Sequence, residues 1–453
     1  MVSGSGSGWE RVRAAPGKGG QLPTARGGAG ADAVGGTVYV FGGASRDGRV
    51  LKDLWALDVG AEEAHAAAWR RADDAAGGGS AANAASPSER SGATLTAAGG
   101  GRLYLFGGQD PRTGQCFNDM FCFSVGEGVW RTVTPRAGGR PPSPRNEHTA
   151  TFLPAPLGEG GKEGEGFIVV FGGGSPEAGQ LDDVHVFSTR EECWLEGLEV
   201  TGQPPGRREM HAAAWCGPDV GLVVHGGRAD SGEILGDAIR LGGFPVREED
   251  GDDPSSSVTP LAQRPWRLAW GRAEGTPYAR CGHRGVGLPE LGLCLLVGGL
   301  SMTCPEDAEC HADVLRLGLG PTGDKLKASF APGGRKGSAP PGRFSHGVAL
   351  LPRGTHDDGK GGATEGSISL VVLTGANFAE DLADVTLCHL DAAVLASGAE
   401  DASHAAKASS LAAAGLLDVT GRLVIGDLQG GSTDQLPDDY VGGDGSTFYF
   451  EEV

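Results

Sequence analysis

Arg26, Arg90, Arg145, Arg208, Arg280 and Arg343 each stand a few residues before a short apolar run. Asp53, Asp119, Asp183, Asp237, Asp313 and Asp384 each open a later run. A guanidinium is a planar fork of donors suited to carboxylates and phosphates, so arginines gathered at one place would recognise an anionic group. The same regularity suits a bland role, in which each arginine binds backbone carbonyls or acids of a neighbouring repeat. Four of the arginines open R-x-x-H, closed by His148, His211, His283 and His346. A metal site needs several converging ligands. Histidines that fall once per repeat read instead as hydrogen-bonding groups at strand starts. Cys304, Cys310 and His311, in CPEDAECHAD, match no structural zinc spacing. No nucleophile and base at catalytic spacing and no phosphate loop after a strand are present. The pattern predicts recognition rather than catalysis, with no cofactor and no metal.

The elements that must position these residues form a repeat. A double glycine follows apolar runs ending at Phe41, Phe106, Phe171, His225 and Val297, and Thr374 with Gly375 is a degraded sixth copy. Trp69, Trp130, Trp194 and Trp270 follow downstream, with Phe330 standing in for the fifth. Each unit holds four short β-like segments between turn-rich loops, which argues for an all-β fold. Repeats that cannot bury their faces alone argue for a propeller. The glycines allow a sharp turn with close backbone approach, and the tryptophan supplies a flat surface to pack on the next blade. The sixth unit lacks its tryptophan, but GWERVRAAP at 8–16 matches VWRTVTPRA at 129–137. The N-terminal segment therefore supplies the outer strand of the last of six blades, closing the ring and removing two exposed edges.

Antiparallel pairing within a blade puts the start of the first strand and the end of the second on one rim. That rim collects the six repeat arginines and the residues after each glycine pair: Ala44, Gln109, Gly174, Arg228, Leu300 and Asn377. Arg46 and Arg228 follow glycine pairs without being repeated, so no repeat constraint explains them. Together these eight arginines are the expected partner-binding set, a positive mouth on a chain whose net charge is -20. That net charge excludes nucleic acid or an anionic membrane surface as a general partner. No apolar run approaches the ~20 residues of a membrane helix, so no membrane insertion is expected. The opening MVSGSGSGWERVR has no apolar core of a secretory signal. Nine cysteines, an odd number, read as mostly reduced thiols of a cytoplasmic protein, with a nuclear location also allowed. Inserts at 72–85, 154–166, 242–263 and 352–366 read as solvated loops, and 392–453 as a tail that is partly helical or disordered.

The double glycine, spaced tryptophan and R-x-x-H resemble the Kelch repeat, of the galactose-oxidase-like propeller family, over residues 9 to roughly 391. The resemblance implies a six-bladed propeller, closed by the N-terminal strand, that grips a protein or peptide partner on one face. It implies two uses: substrate receptor for a ubiquitin ligase, holding an acidic or C-terminal segment, or scaffold in trafficking or signalling like the Kelch effectors of Rab GTPases. The alternative it offers is a metal-dependent enzyme of the plant specifier-protein type. There Glu380, Asp384 and Cys388 or His389 in EDLADVTLCH would be the iron site, with cysteine where that family has histidine.

Overall fold

The computed structural model describes residues 8–17, 20–59, 67–73, 85–135, 139–155, 165–244, 266–272, 274–276, 278–302, 307–319, 326–331, 340–351, 367–391 and 395. The central part of each insert lies outside these. So does nearly all of the expected tail, including a second unit that begins at Asp401.

Runs such as TVYVF, RLYLF and GFIVVF are β-branched and aromatic, and they form strands that are buried almost throughout. They are apolar at every position, not alternating, because both of their faces are covered by neighbouring blades. Six antiparallel four-stranded blades result. Their inner strands are Gly30–Val34, Thr94–Ala98, Thr149–Pro154, Ala212–Trp215, Arg284–Leu288 and Gly347–Leu351, each adjacent to the next and the last adjacent to the first. The outer strand of blade 6 is Gly8–Val12, paired antiparallel with Val385–Asp391 so that Trp9 lies opposite Cys388 and Val12 opposite Val385. The chain then runs on as Ala14–Pro16, parallel to the outer strand of blade 1. The N-terminal segment thus crosses the seam between the last and first blades, and no described helix is long and apolar enough to span a membrane.

The core is divided into six clusters, one at each blade–blade interface. The expectation for the tryptophans had the direction wrong. Each packs on the preceding blade: Trp130 on Phe41 (ring centroids 5.4 Å apart), Trp194 on Phe106 (5.3 Å) and Trp270 on Phe171 (5.2 Å). Trp9 likewise joins blade 5 side chains such as Leu295 and Val297, which makes the N-terminal strand part of the core.

The glycine rim as a candidate partner face

The six repeat arginines form intrablade clamps. Arg145 donates from Nη1 to the Gly172 carbonyl (3.1 Å) and to Asp183 (2.7 Å), and from Nη2 to the other Asp183 oxygen (2.9 Å). Arg26 with Asp53, Arg90 with Asp119, Arg208 with Asp237, Arg280 with Asp313 and Arg343 with Asp384 repeat the pairing. The clamp ties the first and third strands of a blade through the glycine turn. The Arg145 guanidinium and the His185 ring hold the half-buried Asp183 carboxyl well below the usual range, against the opposing effect of burial.

The glycine pair joins one blade to the next. The second glycine donates its N–H to the carbonyl of the following blade's arginine in all six places, closing with Gly375 to Arg26 at 2.8 Å. A Cβ on Gly226 would lie 2.5 Å from the Arg280 carbonyl, and its φ is +61°. Both facts select glycine. Nearer the axis runs a second closed circle of backbone hydrogen bonds, Gly28 to Ser345, Gly92 to Gly28, Glu147 to Gly92, Met210 to Glu147, Gly282 to Met210 and Ser345 to Gly282. Every member has positive φ, including the non-glycine Glu147, Met210 and Ser345. This circle draws six segments together around the mouth.

The repeat histidines sit between blades. His148 Nε2 meets Thr94 Oγ1 (3.1 Å) and His211 Nε2 meets Thr149 Oγ1 (2.9 Å), each across a seam. His283 Nε2 meets His225 Nδ1 (3.0 Å), and His225 Nε2 meets Thr276 Oγ1 (3.1 Å). The Thr276 hydroxyl donates to the Gly236 carbonyl (2.7 Å), so His225 donates from Nε2 and accepts at Nδ1 from His283. Burial pushes His148 and His225 down to about 3, keeping both neutral at physiological pH. Among the described residues no cluster of three or more His, Cys, Asp or Glu side chains is arranged to hold a metal. Asp384 is taken by Arg343, and Cys388 is fully buried in the strand beside the one carrying Trp9.

The expected rim is assembled. Isolated bridges join Gly27 to Ala44, Ser91 to Gln109, Asn146 to Gly174, Glu209 to Arg228 and Cys281 to Leu300, while in blade 6 the partner of Phe344 is Ala376, one residue before Asn377. The positive mouth is not. Arg26, Arg90, Arg145, Arg208, Arg280 and Arg343 are at most 2 % exposed and spend their charge on their own aspartates, so they offer no guanidinium to a partner. Arg46 and Arg228 are half exposed, at 50 and 46 % of the side chain, but each faces a carboxylate, Asp381 and Glu209 respectively. Arg46 also donates to the Asn377 and Phe378 carbonyls, and its backbone N–H donates to Asp381 (2.6 Å), stapling blade 1 to blade 6. Arg49 pairs with Asp47, and Arg112 with Glu89 and Asp110.

Sequence reasoning missed the axis. A cavity of about 470 Å³ runs along the inner strands and is lined by Asp32, Glu147 and Arg284 among others. Asp32 accepts the backbone N–H groups of Ala33 and Ala97 (2.8 Å each), and burial raises its carboxyl to about 6. Burial also raises Glu147, opposed mainly by Arg284. The signal for Asp32 and Arg284 was a charged residue in an otherwise small or apolar inner strand, whereas Glu147, two residues before its inner strand, left none.

A family model described as the KLHDC2/KLHL20/DRC7 Kelch-repeats domain matches residues 7–157. Residues 7–157 therefore match Kelch repeats, and the described residues fold as a six-bladed propeller. It is 29% identical over 241 residues to Kelch domain-containing protein 3 of Homo sapiens, covering 51% of this chain and 58% of that protein. To Rab9 effector protein with kelch motifs of Mus musculus it is 29% identical over 200 residues, 44% of each. To Dynein regulatory complex subunit 7 of Chlamydomonas reinhardtii it is 31% identical over 143 residues, 32% of this chain and 11% of that one. The chain thus spans less than two thirds of the length of each of these relatives.

Proposed function

We propose that this Kelch propeller is a protein-interaction module whose partner sits on the glycine rim. The observation that supports it most is the construction of that rim. Two closed circles of backbone hydrogen bonds lock the loops, while Arg46 and Arg228 stand half exposed above them. A surface ordered in this way loses little further conformational entropy when a partner docks. Kelch-repeat relatives support interaction over catalysis, and one of them is by name a Rab9 effector, which favours the trafficking-effector use over the ligase-receptor use.

Affinity purification from cells compares the full chain with the double variant Arg46→Glu, Arg228→Glu. The reading expects at least one partner to be lost or strengthened, from a protein that still melts in one cooperative transition, at a lower midpoint because each new carboxylate faces the largely buried Asp381 or Glu209. A recovered GTPase or coat component supports the effector use, and cullin adaptors support the ligase use. Retention of every partner at normal strength refutes the rim as the binding face.

A further inference from the structure

Building on the rim reading, we infer that the blade 5–blade 6 sector is the anchor of the partner face and that it takes a basic, apolar segment of a partner protein. Phe378 is the most exposed large apolar side chain among the described residues, at 55 %, and Met302 is another at 37 %. Phe378 sits on a turn closed by Asn377, whose side chain accepts the N–H groups of Ala379 and Glu380 (2.8 Å each) and whose own N–H donates to the Glu380 carbonyl (3.0 Å). Arg46 holds the same turn from blade 1. The exposed ring is therefore held in place by the backbone rather than left loose. Its ring lies 6.3 Å from that of Phe344, which is only partly buried. The Cys281–Leu300 and Phe344–Ala376 bridges bring the blade 5 loop carrying Met302 and the blade 6 turn to this one rim. Rigid aromatics with flanking apolar area are the usual anchors of protein interfaces.

Charge selects the occupant. Glu309 and Glu380, both exposed, belong to this sector, whereas Arg46, the cation beside Phe378, and Asp381 cancel one another. Arg228 in blade 4 is similarly neutralised by Glu209. An acidic segment would meet net repulsion here, and a large apolar side chain flanked by lysines or arginines would meet a complementary field.

Two libraries of random decapeptides, one ending in a free carboxylate and one in an amide, are selected on the purified full-length chain. Enriched sequences are then synthesised and titrated by fluorescence anisotropy. The expected motif is Leu, Phe or Trp flanked by at least two basic residues, indifferent to the C-terminal group and weakened by added salt. Phe378→Ser and Glu380→Lys, both at exposed positions, should each weaken it roughly tenfold or more with an unchanged melting transition. A motif that is acid-rich or needs the free carboxylate, and that is lost in the Arg46→Glu, Arg228→Glu variant, overturns this chemistry and leaves the rim reading standing. A motif untouched by any rim variant overturns both. Failure to enrich any peptide overturns the inference alone, since the rim reading has its own test in the recovered partners.

Discussion

Trp9 is where the closure of the ring is most open to attack. It is 5 % exposed, in the core cluster that joins blades 5 and 6, and its strand adds five residue pairs to Val385–Asp391. Truncating a buried tryptophan to alanine costs about 3–5 kcal/mol. An unfolding entropy of about 2.1 cal/mol/K per residue, taken over the roughly 300 described residues, is about 0.6 kcal/mol/K. Trp9→Ala should then lower the transition midpoint by about 5–8 °C. Arg11→Ala is the control, because the Arg11 side chain is 66 % exposed and only brushes Asp384 at 3.8 Å, so its effect should stay within about 1 kcal/mol. A variant beginning at Gln21 loses both Gly8–Val12 and Ala14–Pro16 and leaves open strand edges, so it should melt lower still and aggregate. Circular dichroism melts of the three proteins decide the matter. If Trp9→Ala and the truncated chain melt with the parent, the N-terminal strand does not close the ring.

Arg145→Ala should lower stability by about 3–5 kcal/mol, since it removes the fully buried member of the Asp183 clamp and leaves the buried Gly172 carbonyl without its donor, whereas Arg49→Ala, in an exposed pair with Asp47, should cost at most about 1 kcal/mol; denaturant titration separates the two. Two opposing pH slopes are also expected. The folded-state value of Asp32 is raised from 3.8 to about 6, so its contribution is fully present below 3.8 and is lost as pH rises through about 6. Asp32→Asn should accordingly gain on the parent between those limits when melting points are compared across pH. The buried histidines act the other way: His148 is lowered from 6.5 to about 3, so its contribution holds above 6.5 and is lost as pH falls toward 3. A His148→Asn variant should show a shallower loss of stability over that acidic range.

The repeat, the all-β class and the six blades were legible in the chain because each blade must solve the same local problem. A strand has to turn where another blade's backbone approaches, and glycine at Gly226 and Gly227 is the residue that permits it. Ring closure was legible for a related reason, since the missing sixth tryptophan had a matching segment at Trp9. Rim membership of the arginines followed from antiparallel pairing alone. Their role did not, because local sequence shows that a guanidinium is present but not how deeply it is buried or which carboxylate it meets. Arg26 and Arg46 look alike as letters, yet one lies beneath the glycine turn against Asp53 and the other on the surface against Asp381, more than 300 residues away. The same limit hid Asp32, whose two donors come from its own strand and from Ala97 of the next blade. It also hid Phe378, whose exposure depends on a turn pinned by Arg46 across the closing seam. Spacing along the chain determined which elements exist and in what order. Burial and the pairing of charges across seams were decided only when the six blades closed on one another.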